Sequence, residues 1–218
     1  MPVIHLVRHG QASFHAETYD VLSDLGREQA RVVGAELARR GLRDPVVHCG
    51  TLDRQRDTAE LLMAAAGLDG RPHADPRWNE YDHLALLDRY PTPWPAEEPG
   101  SRGVQVLLDH ALGAWIHDAD TGPNGWRAFT DGAAAALAGL TAALGSGRDA
   151  VVVTSGGVLA ALCGALLPAP PAGIVALNRV TVNAAITTLA VGRSGTSLLT
   201  FNDHAHFAGD LRALVTYR

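Results

Sequence analysis

Lysine does not occur in this chain: all 18 basic side chains among its 218 residues are arginine. Chemistry that requires a lysine amine, such as Schiff-base formation or the phosphate grip of a P-loop, is excluded on that ground. The bias itself is what a skewed genomic base composition also produces. Cysteine is nearly absent. Cys49 and Cys163 form neither a CxxC pair nor a disulfide framework, so a reducing, cytoplasmic setting is expected. Cys49 reads as a small buried hydrophobe rather than a nucleophile. No basic run accompanies the net charge of -5, which speaks against nucleic acid as a partner. No secretory signal precedes the first apolar run. The uncharged stretch from Ala150 to Asn178 is broken by Thr154-Ser155-Gly156-Gly157 and by Pro168, Pro170 and Pro171. It therefore reads as strand, helix and loop, and no membrane partner is expected. The histidines show no metal-ligand spacing, so neither a metal nor another cofactor is expected.

What is present suits a globular domain. Hydrophobic residues make up 47% of the chain and charged ones 19%, enough for a sizeable core and too ordered a composition for long disorder. The length fits one domain over residues 1–218 with a helical insertion at about 82–149. Val3 to Val7 reads as a buried strand. A helix follows, capped by Ser23, with Ala30, Val33, Gly34, Leu37 and Ala38 inward and Gly41 at its end. Pro45 to Cys49 reads as a second strand feeding a helix that carries Arg54 and ends near Gly67. This β-α-β-α order predicts a mostly parallel sheet with helices on both faces, a three-layer α/β sandwich. A short extended segment from Arg71 delivers Glu80 to the sheet edge. Beyond an irregular proline-rich stretch at 91–100, apolar stripes predict helices over Val104 to Trp115 and Trp126 to Leu144. Ala150 to Thr154 returns as a strand and Gly156 to Leu167 as a helix. Val180 to Val191 and Thr196 to Phe201, around Gly192-Arg193-Ser194-Gly195, predict a C-terminal antiparallel hairpin.

The most informative residues are Arg8-His9-Gly10, directly after the first strand. The carboxyl end of a strand in an open α/β sheet opens into the crevice where ligands bind. Arginine offers a planar fork of donors suited to phosphate, imidazole can act as a nucleophile, and glycine lets the backbone approach a ligand closely.

The segment Leu6 to Ser13, LVRHGQAS, resembles the opening of the histidine phosphatase superfamily, also called phosphoglycerate mutase-like. Leu22-Ser23 with Gly26, Gln29 and Ala30, Leu52-Asp53-Arg54 with Thr58-Ala59-Glu60, Trp78-Asn79-Glu80, Val151 to Leu159, and Phe201-Asn202-Asp203 with His206 resemble further family motifs in the same order. The resemblance covers most of the chain and is weak between roughly Asp82 and Asp149. It implies that His9 is phosphorylated during turnover, with Arg8 and Arg54 holding the phosphoryl oxygens. It also implies Glu80 as proton donor; Asp82, two residues away in sequence, is the competing acid. Arg56, two residues from Arg54 and off its helix face, reads as a solvated charge.

One position departs from the family. Ser155 stands where the family commonly has a second histidine that contacts the phosphoryl group. Its hydroxyl and the backbone of Gly156 and Gly157, opening a helix, offer hydrogen bonds to phosphate instead; as a plainer role, Ser155 is only a helix cap. His206 matches a family histidine and is expected to make a structural hydrogen bond, while His204 is expected to be exposed. Tyr81, Tyr90 and Trp94 are considered as pocket-shaping aromatics.

The function expected is hydrolysis of a small phosphomonoester through a phosphohistidine. The alternatives are phosphoryl transfer of the mutase type, or a phospholigand-binding protein with weak or no turnover because of Ser155. The substrate and the oligomeric state are left open.

Overall fold

The computed structural model describes residues 1–13, 20–92 and 101–217. Trp94 and the proline-rich residues 93–100 lie outside them. Six strands form one sheet: β1 (Val3–Arg8), β2 (Val46–Cys49), β3 (His73–Ala74), β4 (Ala150–Thr154), β5 (Ile186–Gly192) and β6 (Gly195–Asp203), in the order β3-β2-β4-β1-β5-β6. β1, β2, β3 and β4 pair in parallel, with Ile4 opposite Ala150 and Arg8 opposite Thr154. β5 and β6 add the antiparallel hairpin. The fold is the expected α/β sandwich with a mostly parallel sheet.

The helices cover both faces. On one face, α1 (Asp24–Arg40) and α2 (Asp53–Ala66) lay Val33, Leu37, Ala59, Leu62 and Met63 against Val7, Val47, Val151 and Val153. On the other, α5 (Trp126–Ala143) and α6 (Gly156–Leu166) lay Ala133, Leu137, Leu140, Val158, Leu159 and Leu162 against Ile4, Leu6, Val152 and Leu189. Adjacent residues of β1 and β4 thus serve opposite layers, which is why these strands read as continuous apolar runs. α3 (His83–Arg89), α4 (Ser101–His117) and α7 (Pro171–Val180) build a smaller apolar cluster around Leu86, Leu112, Trp115 and Val175.

Several local expectations hold. The Ser23 hydroxyl accepts from the Gly26 N–H at 3.0 Å, and Gly41 ends α1 with φ 66°, where glycine carries no Cβ penalty. Others need correction. The loop expected after α6 contains α7, because Pro171 occupies the first helical turn, where a missing N–H costs nothing. The strand expected from Val180 begins only at Ile186. Val180 still belongs to α7, and Ala184 takes a left-handed conformation with φ 55° that no strand accommodates. The short helix α3 was not foreseen; Asp82 caps it by accepting from the N–H groups of Leu84 and Ala85, both at 3.0 Å.

This topology creates the crevice. β1 and β4 are neighbours, yet the chain leaves β1 for α1 on one face and β4 for α6 on the other. Loops that diverge this way leave a cleft at the strands' carboxyl ends. Close approach closes its base: a Cβ on Gly10 would collide with the Gly26 carbonyl, and one on Gly26 with that of Gln11. Gly10→Ala should therefore cost about 1–3 kcal/mol in stability by overpacking, read as a lower urea midpoint. An unchanged midpoint would show that the loop yields freely.

Candidate active site

The loop after β1 places His9 at the bottom of the crevice, almost fully buried. Its backbone N–H donates to the Thr154 carbonyl at 2.9 Å and its carbonyl accepts from Asn183 Nδ2 at 3.0 Å. The ring has one consistent tautomer. Nδ1 lies 2.7 Å from the Gly10 carbonyl, which can only accept, so Nδ1 carries the hydrogen. Nε2 then keeps its lone pair and accepts from Arg54 Nε at 3.2 Å. Burial pushes the imidazole well below its ordinary pKa, and the charges of Arg54 and Arg8 push it further. His9 is held neutral at the pocket wall, with the lone pair of Nε2 shared with Arg54.

Both arginines are anchored by other elements. Arg8 Nη1 donates to the backbone carbonyls of Thr181 and, at 2.6 Å, of Tyr217. Arg54, buried at the start of α2, donates from Nη1 to Asp20 at 2.6 Å. Thr58, one turn further along α2, accepts from the Gly10 N–H at 3.0 Å and so ties that helix to the His9 loop. Arg56 instead pairs with Asp53 in solvent, as its helix position predicts.

Glu80 comes from the segment after β3. Its carboxylate accepts from the Gly157 N–H at 3.0 Å and from the Tyr81 N–H at 3.2 Å. Burial raises its pKa, against the opposing pull of the Gly157 bond and of Arg54 and Arg8. Asp82, the rival acid, is exposed and occupied in capping α3. The backbone leading to Glu80 is pinned: the Trp78 carbonyl accepts from Thr154 Oγ1 at 2.7 Å and Gln55 Nε2 at 3.0 Å, while Asn79 exchanges two hydrogen bonds with Thr51.

One pocket, of about 110 Å³, is lined by Arg8, His9, Arg54, Glu80 and Gly156 together with Tyr81, His83, Gln105, Asn178, Arg179 and Tyr217. Five of the six candidates from the sequence meet there. Ser155 does not join them. It is fully buried behind the pocket, where its hydroxyl accepts from Gln55 Nε2 at 2.8 Å. It occupies the N-cap position of α6 but makes no side-chain cap bond. His206 Nε2 donates to the Ala184 carbonyl at 3.1 Å, behind the same loop, and His204 is partly buried against the Asn202 carbonyl. Cys49 is buried and its thiol pKa is pushed up to about 11 by desolvation. Among the described residues no cluster of three or more His, Cys, Asp or Glu is arranged to hold a metal.

Sequence reasoning did not find Asp20, Asn183, Gln55, Gln105 or the wall residues of α7. Asp20 accepts from the Arg54 side chain and the Asp53 N–H, and Asn183 bridges the His9 carbonyl and Thr216, all across the fold, and no local pattern marks them. Gln55 was discoverable only as an amide inside an otherwise matched motif.

Fold and pocket together define an α/β protein whose strand-end histidine is held neutral between two arginines and faces a buried acid. The chain belongs to the histidine phosphatase superfamily, branch 1, whose family model matches residues 4–204. It is similar to a 2,3-bisphosphoglycerate-dependent phosphoglycerate mutase of Azorhizobium caulinodans, 36% identical over 85 residues, which are 36% of this chain and 41% of that enzyme. The match therefore spans less than half the length of that relative. Among solved structures, a mycobacterial glucosyl-3-phosphoglycerate phosphatase is 28% identical with a TM-score of 0.63, covering 93% of this chain and 99% of that one. A phosphoserine phosphatase of Entamoeba histolytica, in complex with phosphoserine, shares the fold at 20% identity and a TM-score of 0.63, over 94% of this chain and 99% of its own.

Two substitutions test this geometry. A methyl at Gly157 would collide with Glu80 Oε1 and the Tyr81 ring, so Gly157→Ala should displace the acid. Phosphoryl-transfer turnover, whether to water or to a second site on the substrate, should fall at least about a hundredfold, the usual scale of acid–base catalysis, with the circular-dichroism spectrum unchanged. Gln55→Leu removes the donor shared by Trp78 and Ser155. It should lower stability by about 1–3 kcal/mol in urea unfolding, and a neutral result would mean the pair is dispensable.

Proposed function

We propose that the protein is a phosphatase that hydrolyses a small phosphomonoester through a phosphohistidine at Nε2 of His9. The observation that carries this reading is the His9 tautomer: with Nδ1–H bound to the Gly10 carbonyl, Nε2 keeps the lone pair at the pocket, where it accepts from Arg54 Nε until that donor turns to the phosphoryl oxygens. In the first step Nε2 bonds to phosphorus as the ester P–O bond breaks, and Glu80 gives its proton to the departing oxygen. Arg8 and Arg54 oppose the charge on the phosphoryl oxygens. In the second step Glu80 takes a proton from water, the water oxygen bonds to phosphorus, and the P–N bond breaks to release inorganic phosphate. Gly156 lines the phosphate end through its backbone, and Ser155 acts from behind it by holding Gln55. The phosphatase named among the similar structures supports hydrolysis over transfer. The mutase relative keeps the transfer reading open for the same intermediate. No helix among the described residues is long and apolar enough to cross a membrane.

The test is a turnover screen over phosphomonoesters, with trapping of labelled enzyme. Wild-type protein should release phosphate and show an acid-labile, base-stable adduct on His9, and His9→Ala should do neither. Turnover surviving that change would sink the mechanism, and an isomerised phosphate ester as product would replace phosphatase by mutase.

The pH profile follows from the two shifted groups. Reaction needs His9 neutral and Glu80 protonated. Because burial and the two arginines hold the His9 pKa well below the ordinary imidazole range, the acidic limb should sit well below that range. Because the pKa of Glu80 is raised, the alkaline limb should sit above the ordinary carboxylate range. Glu80→Gln should abolish the alkaline limb and slow alkyl esters far more than aryl esters. An alkaline limb that persists in this variant would assign the proton to another group.

A further inference from the structure

Part of the pocket is built by α4 and α7 rather than by the strand ends. Among the described residues lining that part, Arg179 on α7 is the cation, and its Nε donates to Asp109 Oδ2 of α4 at 2.6 Å. The other oxygen of Asp109 accepts from Gln105 Nε2 at 2.6 Å. The Asp109 side chain is 13% exposed and that of Arg179 is 53% exposed, so the carboxylate is the fixed member and the arginine is drawn to it. Around this pair stand two amides, Gln105 and Asn178, and two apolar side chains, Val104 and Leu108, one helical turn apart on α4. Asn178 reaches toward the phosphate end, since a Cβ on Gly156 would lie 3.1 Å from its amide oxygen.

We propose that the α4–α7 wall, with Arg179 neutralised by Asp109, selects a phosphomonoester whose leaving group is uncharged and hydroxyl-bearing rather than one carrying a second anion. This rests on the phosphatase reading above and specifies its substrate class. Amides both donate to and accept from hydroxyl groups, and Val104 and Leu108 cover the C–H face that a polyol or sugar also presents. A carboxylate there, as in a phosphoglycerate, would share Arg179 with Asp109 and feel that residue's like charge at close range. Asp109 is thus a specificity-determining residue. It touches no reacting atom and acts through the arginine that it holds.

Glycerol 3-phosphate and 3-phosphoglycerate are a matched pair of probes, nearly equal in size, with a neutral carbinol in one where the other has a carboxylate. The wild type should show the higher kcat/KM with glycerol 3-phosphate. Asp109→Asn keeps the shape and the Gln105 contact but frees Arg179. It should raise the ratio of 3-phosphoglycerate to glycerol 3-phosphate by about three- to fivefold, mainly through KM, the scale of one partly exposed charge interaction. Arg179→Met should cancel that gain when combined with Asp109→Asn. The same ratio is read as Kd by titration calorimetry on His9→Ala protein, which cannot form the phosphohistidine. Binding that favours glycerol 3-phosphate without turnover in the wild type would uphold the selectivity and overturn the phosphatase reading alone. Preference of the wild type for 3-phosphoglycerate, a ratio unmoved by Asp109→Asn, or binding of neither ester would overturn the proposal.

Discussion

The turn after Arg8 is the constraint on which the pocket depends. Each backbone group of His9 and Gly10 is held by a different part of the chain: Thr154 on β4 takes the His9 N–H, Asn183 before β5 binds its carbonyl, and Thr58 on α2 takes the Gly10 N–H. The Gly10 carbonyl is left to orient the imidazole from within the same turn. Because those partners come from three separate parts of the chain, the ring direction is fixed by the whole sheet–helix arrangement. The close contact of Gly10 with Gly26 adds the helix that follows. A nucleophile held in this way loses little orientational freedom when substrate arrives, which is where much of a catalytic advantage resides.

The acid is held by a second, separate device. Trp78 is buried to 1% exposure under α5, and its carbonyl carries two hydrogen bonds from side chains of β4 and α2. Gln55 spends its other amide hydrogen on Ser155, so the position at which a family histidine would face phosphate instead serves the backbone that presents Glu80. The neighbouring residues of α2 divide the work: Arg54 turns to His9 and Gln55 to the acid's segment. Serine at this position thus leaves the pocket lined by its two arginines and joins Ser155 to the scaffold.

How far this was readable from the chain depends on how local each feature is. The strand-end Arg8-His9-Gly10, the Ser23 cap, the inward stripe of α1 and the helix carrying Arg54 are written in contiguous residues, and periodicity or capping chemistry exposes them. Gln29 was visible as a motif member but not its task, which is to bind the Gln11 N–H and the carbonyl of Leu214 from opposite ends of the chain. The helix at Pro171 was hidden because three prolines near one another read as loop, whereas only the position of the last one within the first turn matters. Ser155 is the instructive miss. Chain order places it at the phosphate-binding end of a strand, but the direction of its hydroxyl is decided by Gln55, 100 residues earlier. No local pattern contains that information.

Desolvation does two opposite things in this pocket, and both favour the same chemistry. It lowers the pKa of His9 and raises that of Glu80, so each group is biased to its neutral form, one as a lone pair and one as a proton source. The arginines reinforce the first bias and oppose the second. A phosphate dianion entering between Arg8 and Arg54 offsets their field. That removes the opposing pull on Glu80 and strengthens its hold on the proton that the leaving oxygen needs. The same dianion would also favour protonation of His9, but the site of protonation is Nε2, and phosphorus approaching that nitrogen occupies the place a proton would take. In the proposed reaction substrate binding therefore loads the acid without disabling the nucleophile, provided that Nδ1 stays fixed on the Gly10 carbonyl and Arg54 Nε turns from Nε2 to the phosphoryl oxygens.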